Sequence, residues 1–384
     1  MRWLEYLKAP MYTRLVLDVA DLIERYRQAE VIGRSQIPNR AIQAFGLEAF
    51  VTVGYPSRIE VADELWRYHD VMQDGRFERN LQLIGGSVDD ASLELLKNAI
   101  SAVVAFSNRR FGFQSAAKDM LSRSFYQYLE LCRMLDDKPR PWSILEVGPG
   151  SGYLGLLLGL DGHKYVALEA SQAFFVYQSA LFRDTFGSEY HDGLDARSGA
   201  RLSHIPWWVL CRESYRLPKL TAATANHMLA EMNKRGLSFV FERLFQSQES
   251  GFALIAESLG ARIANTYEST VHNIMSQGFD AVEESESLWR FQRTEDAPIL
   301  REFRPATNIR FGRAVKGAYL RLTKLPLIGG IIKRSRGAVR SIAKRSQREA
   351  LGAQSRPEVS AVRALFQPHL GYESAEYRFE KGRW

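Results

Sequence analysis

Between residues 142 and 160 a short apolar strand runs into three alternating glycines and then straight into an apolar helix. The stretch Ile144-Leu145-Glu146-Val147-Gly148-Pro149-Gly150-Ser151-Gly152 ends the strand, and residues 153–160 carry five leucines. Glycine lets a backbone turn tightly and lie against a ligand without Cβ clashes. The helix beyond offers free N–H groups and the positive end of its dipole. In an open α/β sheet such a loop sits at the carboxyl ends of the strands, where the ligand crevice forms.

The spacing narrows the ligand. A dinucleotide fingerprint needs a third glycine where Tyr153 stands, and a phosphate-binding P-loop needs a lysine where Leu154 stands. Two positions before the first glycine is Glu146, whose carboxylate suits a positive amino group and opposes a pyrophosphate. Glu169 closes the next apolar strand, 21 residues after Gly148, where an acidic side chain accepts hydrogen bonds from ribose hydroxyls.

Strand and helix signals alternate from here on. Strands are expected at 143–147, 163–168, 202–210, 221–226 and 252–257, and helices at 153–160, 171–186 and 228–248. Such alternation implies βαβ units and a parallel sheet covered on both faces. From 274 into the 290s the chain reads as an acidic helix. Residues 1–140 read as mostly helical, with a first amphipathic stretch ending before the breakers Gly33 and Pro38 and a strong helix at 115–135.

The segments 144–152 and 167–170 resemble motifs I and II of class I methyltransferases. The resemblance implies an α/β fold with a Rossmann-like class I methyltransferase sheet, an N-terminal helical region (1–140), a cofactor domain (141–300) and a basic helical C-terminal extension (301–384). It implies S-adenosyl-L-methionine as cofactor. Gly148, Gly150 and Gly152 would wrap the methionyl part, Glu146 would hold the amine, Glu169 the ribose, and Asn226 at the end of the fourth strand would face the methyl donor.

The stretch Thr224-Ala225-Asn226-His227-Met228-Leu229-Ala230-Glu231-Met232 resembles a subgroup of sugar O-methyltransferases, which implies a sugar or glycan acceptor. Ile205-Pro206-Trp207-Trp208 fits that subgroup loosely, and Lys219-Leu220-Thr221 lacks its usual acidic residue. Methyl transfer to a hydroxyl needs a positioned oxygen and a group to take its proton. His227 has a side chain that titrates near neutrality, and Glu231 lies four residues on, the same face of a helix. They are the expected catalytic base and its orienter. The plainer reading makes Asn226 a helix cap and Glu231 a surface residue. The adjacent tryptophans read first as core, and Asp192 and Asp195 as a solvated turn. No metal-ligand spacing is present.

Charge is concentrated. Of a net +7, twelve Lys or Arg residues and no acidic one fall between Arg310 and Arg348, so the rest of the chain is net acidic. Apolar residues interleave these charges, the profile of helices lying on an anionic membrane surface. Nucleic acid is the less favoured partner, and packing on the protein's own body is the third reading. The two cysteines, Cys132 and Cys211, lack metal or disulfide spacing and suit a reducing compartment. With no signal peptide or spanning segment in view, the expected location is cytoplasmic, at most peripheral to a membrane. Rival functions are methylation of another small-molecule, lipid or RNA acceptor, and a catalytically silent assembly factor of the same fold.

Overall fold

The computed structural model describes residues 11–45, 57–71, 75–84, 88–194, 199–212, 215–226, 228–232, 239–241, 248, 251–257, 267–284, 288–293 and 357–370. At the centre is β1 (Ser143–Val147), with β2 (Lys164–Glu169), β4 (Leu202–Pro206) and the short β3 (Tyr190–His191) to one side. To the other side lie β5 (Ala222–Asn226), β6 (Ala253–Glu257), β8 (Leu288–Arg293) and β7 (Phe279–Glu284). All pairs are parallel except those of β8, which runs against both β6 and β7. The Rossmann-like α/β sheet expected from the sequence is therefore present, with N-terminal helices before it. The chain lays β2, β3 and β4 on one side of β1, β4 falling between β2 and the edge strand β3, and then crosses to β5 on the other side. This reversal opens a crevice at the carboxyl ends of β1 and β5.

The helices in chain order are α1 (Met11–Ser35), α2 (Asn39–Ala44), α3 (Phe77–Leu83), α4 (Asp90–Phe111), α5 (Lys118–Met134), α6 (Tyr153–Leu160), α7 (Gln172–Phe186), α8 (Trp207–Leu210), α9 (Met228–Glu231), α10 (Tyr267–Ser276) and α11 (Pro357–Phe366). The central strands are buried almost throughout, which explains why they read as continuous apolar runs without alternation. Ser171 caps α7 by accepting from Phe174 N, and Asp89 caps α4 by accepting from Ser92 N.

Three expectations are corrected. Phe279–Glu284 and Leu288–Arg293 pair antiparallel as β7 and β8, where a helix was expected. Their register shifts between Ala281 and Glu283, and Gly278 (φ +85°) follows α10 before them. The third strand stops at Pro206, and Trp207–Leu210 turn into α8. The first helix does not end before Gly33 but runs through it to Ser35, because a Cβ there would come 2.0 Å from Trp208 Cδ1: the glycine seats α1 flush on the indole. At the other end of the chain α11 docks on α3 and α4, burying Val362 and Phe366. Phe366 packs edge-on to Phe77 at 5.2 Å, and Arg363 pairs with Glu78. Residues 310–350 lie outside the described residues. No helix among the described residues is long and apolar enough to cross a membrane.

Candidate functional site

Gly148, Gly150 and Gly152 all take left-handed backbone angles (φ +71°, +60° and +78°), which L side chains rarely adopt. Their surroundings differ. A Cβ on Gly148 would stand 2.5 Å from Met228 Cγ, and one on Gly152 would stand 2.8 Å from Gln178 Cγ. A Cβ on Gly150 would meet nothing within 4 Å. Two of the glycines are thus demanded by packing as well as by φ, and the third faces open space.

Two acidic side chains are buried beside this loop. Glu146, on β1, accepts from Tyr165 Oη at 2.6 Å and from Asn226 Nδ2 at 3.4 Å. Burial pushes its carboxyl up to about 8, opposed by those two donors and helped by the nearby Glu169. Glu169, at the end of β2, accepts from Ser171 N at 2.7 Å, and burial raises it to about 7 against the pull of that and neighbouring amides. The leading influences on either group are burial and hydrogen bonds, with no cation among them. Burial thus favours the protonated form of both carboxyls, and a positive charge brought against Glu146 would favour its ionised form.

The expected residues Glu146, Asn226, Glu169 and the three glycines thus lie together at the switch point, with Asn226 hydrogen-bonded directly to Glu146. His227 lies outside the described residues. Of Glu231 only the backbone is described, as the last residue of α9. His204 is a core residue, its ring held by Tyr190 Oη and Gln178, and burial lowers it to about 3. Asp192 is not in a solvated turn: it is 7% exposed and pairs with Arg25 at 3.0 Å and with Arg183. Asp195 lies outside the described residues. Among the described residues no group of His, Cys, Asp and Glu is placed to hold a metal.

Residues far away in sequence complete the site. Tyr165 reaches Glu146 by passing over Gly155, where a Cβ would lie 2.3 Å from Tyr165 Cζ; an aromatic on β2 opposite a glycine in α6 was the available signal. The segment before α3 is tied to both cofactor-side loops. Ser151 Oγ donates to Tyr68 O at 2.7 Å, and Ser171 Oγ and Ala173 N both donate to Ser57 O at 3.1 Å. Beneath these ties the Tyr153 hydroxyl bridges the His69 carbonyl and the Tyr177 hydroxyl, at 2.6 Å each. His69 Nδ1 accepts from Tyr177 at 2.8 Å, and burial keeps this imidazole neutral, lowered to about 3. On the other side of the crevice Glu257 ends β6 in register with Asn226, accepts from Gln127 Nε2 at 2.6 Å and pairs with Arg123.

No protein-family model matches the chain, and no curated protein matches it in sequence. Among solved structures it is similar to the magnesium protoporphyrin IX methyltransferase of Synechocystis PCC 6803 with bound S-adenosylmethionine, at 12% identity and a TM-score of 0.32, over 62% of this chain and all of that one. It is similar to the N-methyltransferase NodS of Bradyrhizobium japonicum WM9 with S-adenosylhomocysteine, at 13% identity and a TM-score of 0.33, over 46% and 88% of the two chains. A third, the glycopeptide N-methyltransferase MtfA with S-adenosylmethionine, matches at 12% identity and a TM-score of 0.30, over 42% and 85%. Likeness this remote says nothing of activity, and the fold stands on the strand order itself.

Proposed function

We propose that the chain binds S-adenosyl-L-methionine at the carboxyl ends of β1, β2 and β5 and transfers its methyl group to a hydroxyl of a sugar or glycan. One observation carries the cofactor: two buried carboxyls, with no cation among their leading influences, flank a left-handed glycine loop that is open at Gly150. The residues present fit a ligand with a positive amino end and a ribose, and without phosphates.

When bound, the cofactor supplies a methyl carbon already activated by a sulfonium. The protein's part is to bind, orient and take a proton. Glu146 ionises against the positive methionyl end, held in place by Tyr165 and Asn226. Glu169, to which the Ser171, Ala170 and Gly150 amides and the Gln178 side chain all donate, would exchange some of these donors for ribose hydroxyls. Gly150 admits the ligand against its backbone. The acceptor hydroxyl would give its proton to His227, with Glu231 four residues on as the proposed orienter, as its oxygen takes the methyl group and the carbon–sulfur bond breaks to leave a neutral thioether. Acceptor class rests on the resemblance of residues 224–232 to sugar O-methyltransferases, and the basic segment 310–350 would hold the enzyme at an anionic membrane where lipid-linked glycans are built.

Calorimetric titration with S-adenosylhomocysteine tests the cofactor, and an absence of binding removes it. Mass spectrometry of glycans from cells lacking the protein tests the acceptor: a glycan one methylene lighter supports it, and an unchanged glycan profile removes it. Flotation with anionic vesicles at low salt tests the segment 310–350, and failure to float removes the membrane.

A further inference from the structure

One side chain of α7 reaches both cofactor-side loops. Gln178 is fully buried. Its stem lies against Gly152, where a Cβ would come 2.8 Å from Gln178 Cγ. Its Nε2 donates to the Gly150 carbonyl, and the same side chain is a donor to the Glu169 carboxyl. Gly150 closes the ring, since its own N–H is another donor to Glu169. Gly150, Glu169 and Gln178 are thus held to one another at the turn between β1 and α6.

The two ends of an amide are alike in shape and opposite in hydrogen bonding, so its facing has to be fixed by its partners. The Gly150 carbonyl can only accept, so the NH2 group of Gln178 must face it, and Oε1 is left toward His204 Nε2 on β4. An oxygen there needs a donor, so Nε2 carries the imidazole proton and Nδ1 is bare. Nδ1 lies against the hydroxyls of Tyr190 and Ser179, which bond to each other at 2.7 Å and supply the donor it needs. Burial keeps this ring neutral, so it retains one donor and one acceptor, and Phe175 and Phe182 pack on it at 5.0 and 5.8 Å. Apolar side chains would fill this part of the core without any need for matched donors and acceptors. The polar chain from Tyr190 through His204 and Gln178 instead ends on the loop that meets the ligand.

We infer that Gln178 is the positioning residue of the ligand site: its amide sets the Gly150 carbonyl and the Glu169 carboxyl relative to each other, and His204 fixes which way that amide faces. This rests on the cofactor reading above and deepens it. The contacts to the methionyl end and to the ribose are adjusted together, because one buried amide touches both.

The test uses the full chain, with S-adenosylhomocysteine and adenosine as ligands. Gln178→Met keeps a stem against Gly152 and removes the amide, and both ligands should bind about tenfold more weakly or worse. Adenosine lacks the amino-acid end, so its affinity reads the ribose side. That affinity should rise with pH through the Glu169 value, about 7 in wild type, because an ionised carboxyl accepts more strongly from hydroxyls. Loss of a donor to the ionised form should move this midpoint to higher pH in Gln178→Met. The other titratable groups that sense Glu169 are Glu146, Tyr165 and Tyr26, none of which the variant alters. At the far end of the chain, His204→Gln can place an amide nitrogen where Nε2 stands and should keep affinity near wild type, while His204→Met should lose as much as Gln178→Met. Unchanged affinity in Gln178→Met, a weaker affinity with an unmoved midpoint, or equal losses in the two His204 variants overturns the inference and leaves the cofactor reading standing. Failure of the wild-type chain to bind S-adenosylhomocysteine overturns both.

Discussion

The hydroxyl of Tyr165 donates to Oε2 of Glu146 at 2.6 Å, joining the second strand to the last turn of the first just below the glycine loop. This bond fixes where the carboxyl points, and burial around it fixes its protonation state.

Glu146 should therefore make the unliganded protein less stable as pH rises. Its folded value, about 8, lies above the ordinary 4.5, so the folded state binds more protons between those limits and stability falls through that window. Glu169, at about 7, acts in the same sense. Buried His69 and His204, both lowered to about 3, act in the opposite sense and lose stability as pH falls below about 6.5. Comparing Glu146→Gln with wild type isolates the first group. The variant's unfolding free energy should gain on wild type from pH 5 to pH 8, by an amount on the order of a few kcal/mol, and its melting temperature should rise relative to wild type with it. A gap that does not move with pH contradicts the protonated carboxyl.

The three glycines should separate into two classes. Alanine at Gly150 adds only backbone strain, about 1–2 kcal/mol, because its Cβ meets open space. Its fold should survive while S-adenosylhomocysteine affinity drops more than tenfold. Alanine at Gly148 or Gly152 adds overlap with Met228 or Gln178 and should lose more stability than Gly150→Ala in thermal unfolding. Equal losses at all three positions would show that Gly150 does not face the ligand.

Gly33→Ala should destabilise, against the usual trend for a helix interior. In an exposed helix the change gains about 1 kcal/mol. Here the added methyl falls on the rigid Trp208 indole and must lift α1, an overpacking cost of about 1–3 kcal/mol. A higher melting temperature for the variant would mean that α1 does not rest on Trp208.

The legible parts of the chain were those where local chemistry and topology agree. The first strand, the glycine loop and α6 followed from an apolar run, three glycines and an apolar octet, and they form as expected over Ser143–Val147 and Tyr153–Leu160. Glu146 and Glu169 could be placed at strand ends by counting from the loop. The β7–β8 pair was hidden because its acidic residues, Asp280, Glu283 and Glu284, suggested a solvated helix, when they belong to an edge strand whose alternation is broken by a register shift between Ala281 and Glu283. Tyr165 and Gln178 could not be assigned, since each acts on a group that only the folded sheet brings near: Gln178 meets Gly150 from 28 residues away. Gly33 looked like a stop signal because a close approach by a distant indole leaves the same mark in the sequence as a helix end.

Docking of α11 on the N-terminal helices offers a separate check. Phe366 is fully buried against Phe77, so Phe366→Ala should cost about 3–5 kcal/mol, while Arg363→Ala, at the exposed pair with Glu78, should cost under about 1 kcal/mol. Thermal unfolding of the two variants measures both. Equal losses would mean that charge, not apolar packing, holds the helix.

Proton release on cofactor binding tests the central claim most directly. Titrating S-adenosylmethionine at pH 7 in two buffers of different ionisation enthalpy reports protons given up as the positive methionyl end meets Glu146. The structure predicts binding with net release toward one proton in the wild-type chain and with less release in Glu146→Gln. Binding without proton release, or no binding at all, would contradict it.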